Sequence, residues 1–220
     1  MLRRHFLPLL ATPLLARPAL KITGVEIWKL EGKKQTEAGI NRQHQVQPIH
    51  LYEERRPAEY KDNPQGTATT NVTAYYLKII AGDISGIYGP VDKEAVIVVD
   101  QQFRNFLIGK DALAGETLWD QMYRMNRHSR AGHFMMAISA VDNALWDLRG
   151  HAMNAPVYQL LGGPTRPKVA AYGSCLGYSL ELDKVRERTR ALRDSGFRHQ
   201  KWFLGYGPGD GSEGLIKNVE

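Results

Sequence analysis

Residues 137–163 read AISAVDNALWDLRGHAMNAPVYQLLGG, and this stretch decides the fold. Starting from Phe134 just upstream, Ile138, Val141, Leu145 and Leu148 recur at steps of four and three, which puts them on one face of a helix. Ala137, Ala140 and Ala144 make a second, thin face where another backbone can approach closely. Gly150 is expected to end the helix in the left-handed conformation, and a second short helix is expected to stop at Gly162-Gly163. The chain before this stretch reads as a mixed domain. The chain after it reads as a repeating strand–helix pattern, so the stretch marks the junction.

The first part alternates between β-branched and helical signals. A strand is expected over 20–30. Residues 31–70 sustain no period and carry Arg42, His44, His50, Arg55, Arg56 and Lys61. So long an irregular segment in a compact protein reads as a lid over a ligand. Strands over 71–81 and 84–88, joined at Gly82-Asp83, form a hairpin. A helix follows Pro90 and Asp92, with Ala95, Val96, Val99, Phe103 and Phe106 on its face and Gly109 at its end. Leu118, Met122 and Met125 mark another. Strands followed by helices make an α+β module.

After Gly163 a buried parallel strand is expected at Val169–Tyr172. Ser179 can cap a helix that turns Leu182, Val185, Thr189 and Leu192 inward and ends at Gly196. A strand over Arg198–Leu204, a flexible Gly-rich loop over Gly205–Gly211 and the start of a helix at Leu215 complete a β–α–β–α run. Two parallel strands cannot close a barrel or bury both faces of an open sheet. The expectation is therefore an incomplete barrel: the chain is a fragment, or a partner supplies the rest. The expected domains are an export signal at 1–19, an α+β domain at 20–150 with the lid at 31–70, and the start of a barrel at 151–220.

Composition narrows the function. The net charge is +6, but no basic run interleaves with aromatics, so neither nucleic acid nor membrane is an expected partner. Arg3-Arg4 before the apolar run Leu7–Leu15 looks like a twin-arginine export signal, which predicts a periplasmic or exported protein. The alternative is the amphipathic start of a cytoplasmic one. Cys175 is the single cysteine and reads as a small buried residue. His128, His133 and His151 lack metal-ligand spacing on one face, Asp142 and Asp147 read as capping or pairing groups, and no metal ligand is assigned in this chain. Lys201 is different. A lysine in an apolar strand is costly to bury. At the C-terminal end of a barrel strand it can neutralise a carboxylate or act as a base.

Several motifs now carry a family resemblance. Trp119-Asp120-Gln121-Met122-Tyr123, Ala144-Leu145-Trp146-Asp147-Leu148, Pro156-Val157 through Gln159–Gly163, and Gly196-Phe197 leading to Lys201 resemble the mandelate racemase and muconate lactonizing enzyme branch of the enolase superfamily. Gly207-Pro208, Glu213-Gly214-Leu215, Lys217-Asn218 and Glu220 look most like sugar-acid dehydratases of the rhamnonate type, and Pro57–Tyr60 is a looser match. The resemblance spans about 20–220.

It implies an α+β capping domain followed by the first βα units of a truncated, modified TIM barrel. It also implies a Mg²⁺-dependent, homo-oligomeric enzyme that takes the proton α to the carboxylate of a small sugar acid. Loss of the β-hydroxyl then gives a 2-keto-3-deoxy acid, with the metal absorbing charge on the carboxylate. Lys201 falls on the first lysine of the family's Lys-x-Lys strand motif, and Phe203 replaces the second. His50 and Arg56 fall where the family's lid contacts substrate. The metal ligands of the family belong to later strands, so the resemblance implies that this chain alone is inactive. The alternatives are a racemase, epimerase or cycloisomerase of the same family, and a non-catalytic carbohydrate-binding or interaction module.

Overall fold

A computed structural model describes residues 19–38, 47–55, 66–128, 130–176, 178–180 and 182–219. The chain divides into two compact units: residues up to Leu30 with Ala74–Pro164, and Glu31–Thr73 with Thr165–Glu220. The division falls at Pro164, so the short helix after the junction helix stays with the first unit.

Three strands, β1 (Gly24–Ala38), β2 (Gly66–Ala81) and β3 (Ile84–Val91), form a sheet in the order β1-β2-β3. β2 and β3 pair antiparallel from Ala81↔Ile84 outward, and Gly82 turns the chain between them with φ 63°. β1 and β2 are longer than the alternation suggests, and they take up both ends of the segment read as an irregular lid. The expectation of an irregular segment over the whole of 31–70 is therefore corrected at its ends, and between the strands Pro48–Leu51 and Glu53–Arg55 form single helical turns.

Helix α1 (Lys93–Val98) runs through a wider turn at Val99–Phe103 into α2 (Arg104–Leu107). α3 (Gly115–Met125) and the long α4 (Gly132–Met153) follow, then α5 (Val157–Leu160). The core gathers Leu77 and Ile79 from β2, Ala95 from α1, Val99 and Phe103 from the wide turn, Leu118 and Met122 from α3, and the apolar and alanine faces of α4. Phe134 meets Phe103 edge to face, with centroids 5.2 Å apart. Burial of this face stabilises α4 far more than helix propensity does.

The alanine face does what its size allows. β3 crosses it at Gly86, where a Cβ would overlap Ala144 O and Leu148 N. Two polar groups fasten the crossing. The Ile87 N–H donates to Asp147 Oδ2 at 2.8 Å, and His151 Nδ1–H donates to Ser85 O at 2.7 Å. Asp147 and His151 are therefore fastening groups. Gly150 does not end the helix, which runs to Met153 and closes on Asn154 at φ 48°, ψ 44°. Gly150 instead lies against Ala155 O, 3.0 Å from where its Cβ would be. The Gly162-Gly163 stop has φ 104° and 86°, both in the left-handed region.

In the second unit β4 (Tyr172–Ser174) and β5 (His199–Lys201) pair parallel, joined by α6 (Leu182–Asp194), and α7 (Gly211–Val219) follows β5. β4 begins three residues later than the apolar pattern predicts, because its ladder starts where the short partner strand starts. Val169 is left 78% exposed. Leu192 of α6 packs on Gly173, whose missing Cβ would sit 2.9 Å from Leu192 Cδ2. Leu182, expected to face inward, is 63% exposed, since it sits at the first position of α6 before the helix reaches the strands. Cys175 is buried, as its small size predicts. Among the described residues no helix is long and apolar enough to cross a membrane.

Candidate functional site

Lys201 ends β5 beside Ser174, the last residue of β4, and the Cys175 N–H donates to Lys201 O at 2.9 Å. This ties the strand end that carries the lysine. Its side chain is exposed, with Nζ 5.9 Å from the centroid of the Tyr172 ring. The strand end opens into a cleft of about 630 Å³ within the second unit. Lys201, Trp202, Phe203 and Leu204 form one side. Tyr206 to Asp210, Leu176, and Gln47, Pro48, His50 and Leu51 at the helical turn Pro48–Leu51 complete it. Two residues singled out in the sequence, His50 and Lys201, thus line one cavity. Arg56 lies outside the described residues.

His50 is buried, and the geometry of its turn fixes its tautomer. The Gln47 N–H donates to His50 Nδ1 at 3.1 Å, while Gln47 O accepts from the His50 N–H at 2.9 Å. An imidazole nitrogen that accepts carries no proton, so in neutral His50 the proton sits on Nε2. His50 is therefore built as a hydrogen-bond donor. Phe203, which stands where a second lysine would be, is buried at 9% exposure and supplies no base.

Sequence reading missed the Gly-rich loop as a wall. It was expected to be flexible, yet Asp210 Oδ2 accepts from the Gly207 N–H at 2.8 Å and the Asp210 N–H returns to Gly207 O at 3.0 Å. The signal available was Gly207-Pro208 followed by Asp210, a turn with its own side-chain acceptor. Trp202 was missed as well; its Nε1–H donates to Gln200 Oε1 at 3.1 Å.

These residues do not make a magnesium site. Among the described residues Asp210 is the single carboxylate lining the cleft, and it already accepts from backbone, whereas Mg²⁺ takes six oxygens in near-octahedral array. Among the described residues no group of three His, Cys, Asp or Glu is positioned to hold a metal.

The other charged cluster belongs to the first unit. Arg149, 7% exposed, lies over Trp146 at 4.8 Å and donates from Nε to Ala112 O at 3.3 Å. Gly115 lacks the Cβ that would overlap its guanidinium. Burial lowers the Arg149 pKa, against the opposing pull of Asp142, Glu116 and Asp111. Burial likewise raises the Asp142 carboxyl, which Arg149 partly offsets. The cluster is held by the stacking of Arg149 on Trp146 and its bond to Ala112 O, with Asp142 near enough to act on it through charge alone.

Comparison with known proteins agrees with this layout. Residues 81–162 match the mandelate racemase / muconate lactonizing enzyme N-terminal domain. An L-rhamnonate dehydratase of Saccharopolyspora erythraea is 31% identical over 180 residues, which cover 80% of this chain and 42% of that protein. A D-galactonate dehydratase of Verminephrobacter eiseniae is 39% identical over 109 residues, 49% of this chain and 28% of that protein. The crystal structure of L-rhamnonate dehydratase from Gibberella zeae superposes with a TM-score of 0.69 at 29% identity, covering 93% of this chain and 47% of that one. A rhamnonate dehydratase structure from the same organism complexed with Mg gives a TM-score of 0.68 at 28% identity, over 92% of this chain and 49% of that one. The chain spans less than half the length of each of these relatives. Over residues 81–162 the chain thus carries the mandelate racemase / muconate lactonizing enzyme N-terminal domain, and over most of its length it is similar to L-rhamnonate dehydratases.

Proposed function

We propose that this chain carries the lid and the first barrel strands of a magnesium-dependent acid-sugar dehydratase. The observation that carries the reading is the shared cleft: a cation at a strand end and a histidine donor from the lid segment line one cavity. The dehydratase relatives supply the substrate class, a small aldonate.

In this reading the substrate loses the proton on the carbon next to its carboxylate. The hydroxyl on the following carbon then leaves as water, and the resulting enol becomes a 2-keto-3-deoxy acid. Negative charge builds on the carboxylate as the proton departs. The Lys201 ammonium, at the mouth of the cleft, stabilises that charge. His50, with its proton on Nε2, stands in the wall of the cleft and holds the acid in register. Mg²⁺, which the described residues lining this cleft would not hold, would supply the Lewis acid that takes up charge on the carboxylate. Phe203, apolar and buried, disfavours a two-base racemase built on this strand.

The test is a panel of aldonates given to the full-length gene product with Mg²⁺, with 2-keto acid as the readout. Accumulation of a 2-keto-3-deoxy acid supports the reading. An epimer or lactone in its place, or no product from any aldonate, refutes it.

The His50 role has its own test. The amide nitrogen of glutamine falls near the place of Nε2, whereas asparagine reaches only as far as Nδ1. His50→Gln is expected to raise KM about threefold and His50→Asn about thirtyfold, the cost of one lost hydrogen bond. Equal losses in the two variants would contradict a donor role.

We also propose that residues 1–19 direct export through the twin-arginine route, on the strength of Arg3-Arg4 before the Leu7–Leu15 run. Cell fractionation with N-terminal sequencing should find a periplasmic protein lacking these residues. An intact N-terminus in the cytoplasmic fraction would refute it.

A further inference from the structure

We propose that Tyr206 is a specificity-determining wall of the cleft and that Asn218 is the residue that positions it. The proposal rests on the reading that the cleft receives a sugar acid.

A loop with glycine at 205, 207, 209 and 211 would wander if left alone. This one is fastened to α7 at its single aromatic residue. The Tyr206 N–H donates to Asn218 Oδ1 at 3.1 Å, and Asn218 Nδ2 donates back to Tyr206 O at 3.0 Å. One side-chain amide thus satisfies both backbone groups of one residue, which fixes its Cα. Gly214 lets the loop lie directly on the helix: a Cβ there would overlap Asp210 Cβ and sit 3.0 Å from Tyr206 Cβ. Lys217, itself paired with Glu213 at 3.0 Å, brings Nζ to 5.5 Å from the Tyr206 ring centroid. Residues 214, 217 and 218 stand three and four apart, on one side of α7. The fastening of the loop by this helix side converges on Tyr206.

The side chain so held lines the cleft. A tyrosine has few torsions to freeze, an apolar ring and a hydroxyl that both donates and accepts. Those properties suit the polyol part of an aldonate. The ring covers its C–H face, and the phenol reads one hydroxyl. A rigidly placed reader separates substrates that differ at that hydroxyl, because the wrong one leaves a buried polar group unpaired.

The experiment uses the full-length gene product with Mg²⁺ and pairs of aldonates that differ in one hydroxyl beyond C3. Its readouts are the ratio of kcat/KM within each pair and the ratio of dissociation constants from tryptophan fluorescence. For one such pair, Tyr206→Leu is expected to compress the ratio about tenfold. Asn218→Ala should move it about threefold in the same direction, with kcat on the better substrate changed less than about threefold. Asn218→Asp, which keeps the acceptor and loses the donor, should fall between. A merely structural role would lower the melting temperature and leave the ratios alone. Wild-type ratios in folded Tyr206→Leu and Asn218→Ala variants therefore overturn the proposal. If the wild type binds aldonates without dehydrating them, the dehydratase reading fails, while the binding ratios still decide the role of Tyr206. If it neither binds nor converts them, both fall.

Discussion

Gly86→Ala is expected to lower stability by about 3 kcal/mol or more, at the upper end of overpacking effects. The reason is which atoms are in the way. At most packed positions an added methyl meets the flexible end of a side chain. At Gly86 it meets the backbone of α4: it would overlap Ala144 O and Leu148 N, and lie 2.8 Å from Leu148 Cβ. Helix backbone moves only as a whole, so β3 must lift. Lifting strains the Ile87–Asp147 and His151–Ser85 hydrogen bonds and opens the core beneath Ile79 and Val141. In a chain of this size the midpoint of thermal unfolding should fall by roughly 6–12 °C. Gly32→Ala is the control. Nothing lies within 4 Å of its added methyl, and a change of less than about 0.5 kcal/mol is expected. Equal midpoints for Gly86→Ala and Gly32→Ala would show that β3 does not rest on the alanine face.

The second large effect is on activity. If the proposed dehydratase reading holds, Lys201→Met in the full-length gene product is expected to lower kcat/KM for an aldonate by about 10²–10⁴-fold, the span of a positioned charge or proton-transfer group. Methionine keeps the length of the side chain and removes only the ammonium. Lys201 is exposed at the end of a strand pair, so folding should be nearly untouched. Lys201→Arg restores a cation with a different shape and should recover part of the loss. The division between kcat and KM is informative. A fall confined to kcat means that the ammonium acts on charge that develops as the proton leaves, and a rise confined to KM means that it only holds the ground-state carboxylate. A melting temperature that falls with the activity would move Lys201 from chemistry to structure.

What the sequence made legible follows burial. Helix α4 could be read because one face is fully buried, and its period is the imprint of that burial. The alanine face was legible for the same reason. The outer parts of β1 and β2 were not: residues 31–35 and 71–73 are exposed whichever way they point, so neither face selects for apolar residues and no alternation appears. Gly150 was misread as a helix end because glycine has two uses. Here it admits a close backbone neighbour, and Asn154 takes the left-handed turn. The Gly205–Gly211 loop looked mobile because its anchors, Asn218 and Gly214, lie on the next helix, beyond the reach of local turn rules.

For the site, the single residues were legible and their grouping was not. Lys201 stood out as a charge in an apolar strand, and His50 through the resemblance of the lid. That they line one cleft is a product of tertiary structure. The protonated nitrogen of His50 depends on a backbone N–H three residues upstream, which no residue pattern announces.

A deuterium label follows the proton that Lys201 is proposed to help remove. An aldonate labelled with deuterium at C2 is incubated with the full-length gene product and Mg²⁺, alongside the Lys201→Met variant. A primary isotope effect on kcat/KM is expected, together with a 2-keto-3-deoxy product whose new C3 hydrogen comes from solvent and carries no deuterium, while the variant binds the substrate but forms almost no product. Product formed at the wild-type rate by Lys201→Met, or deuterium delivered intact from C2 to C3 by an internal shift, would contradict abstraction of the C2 proton in this cleft.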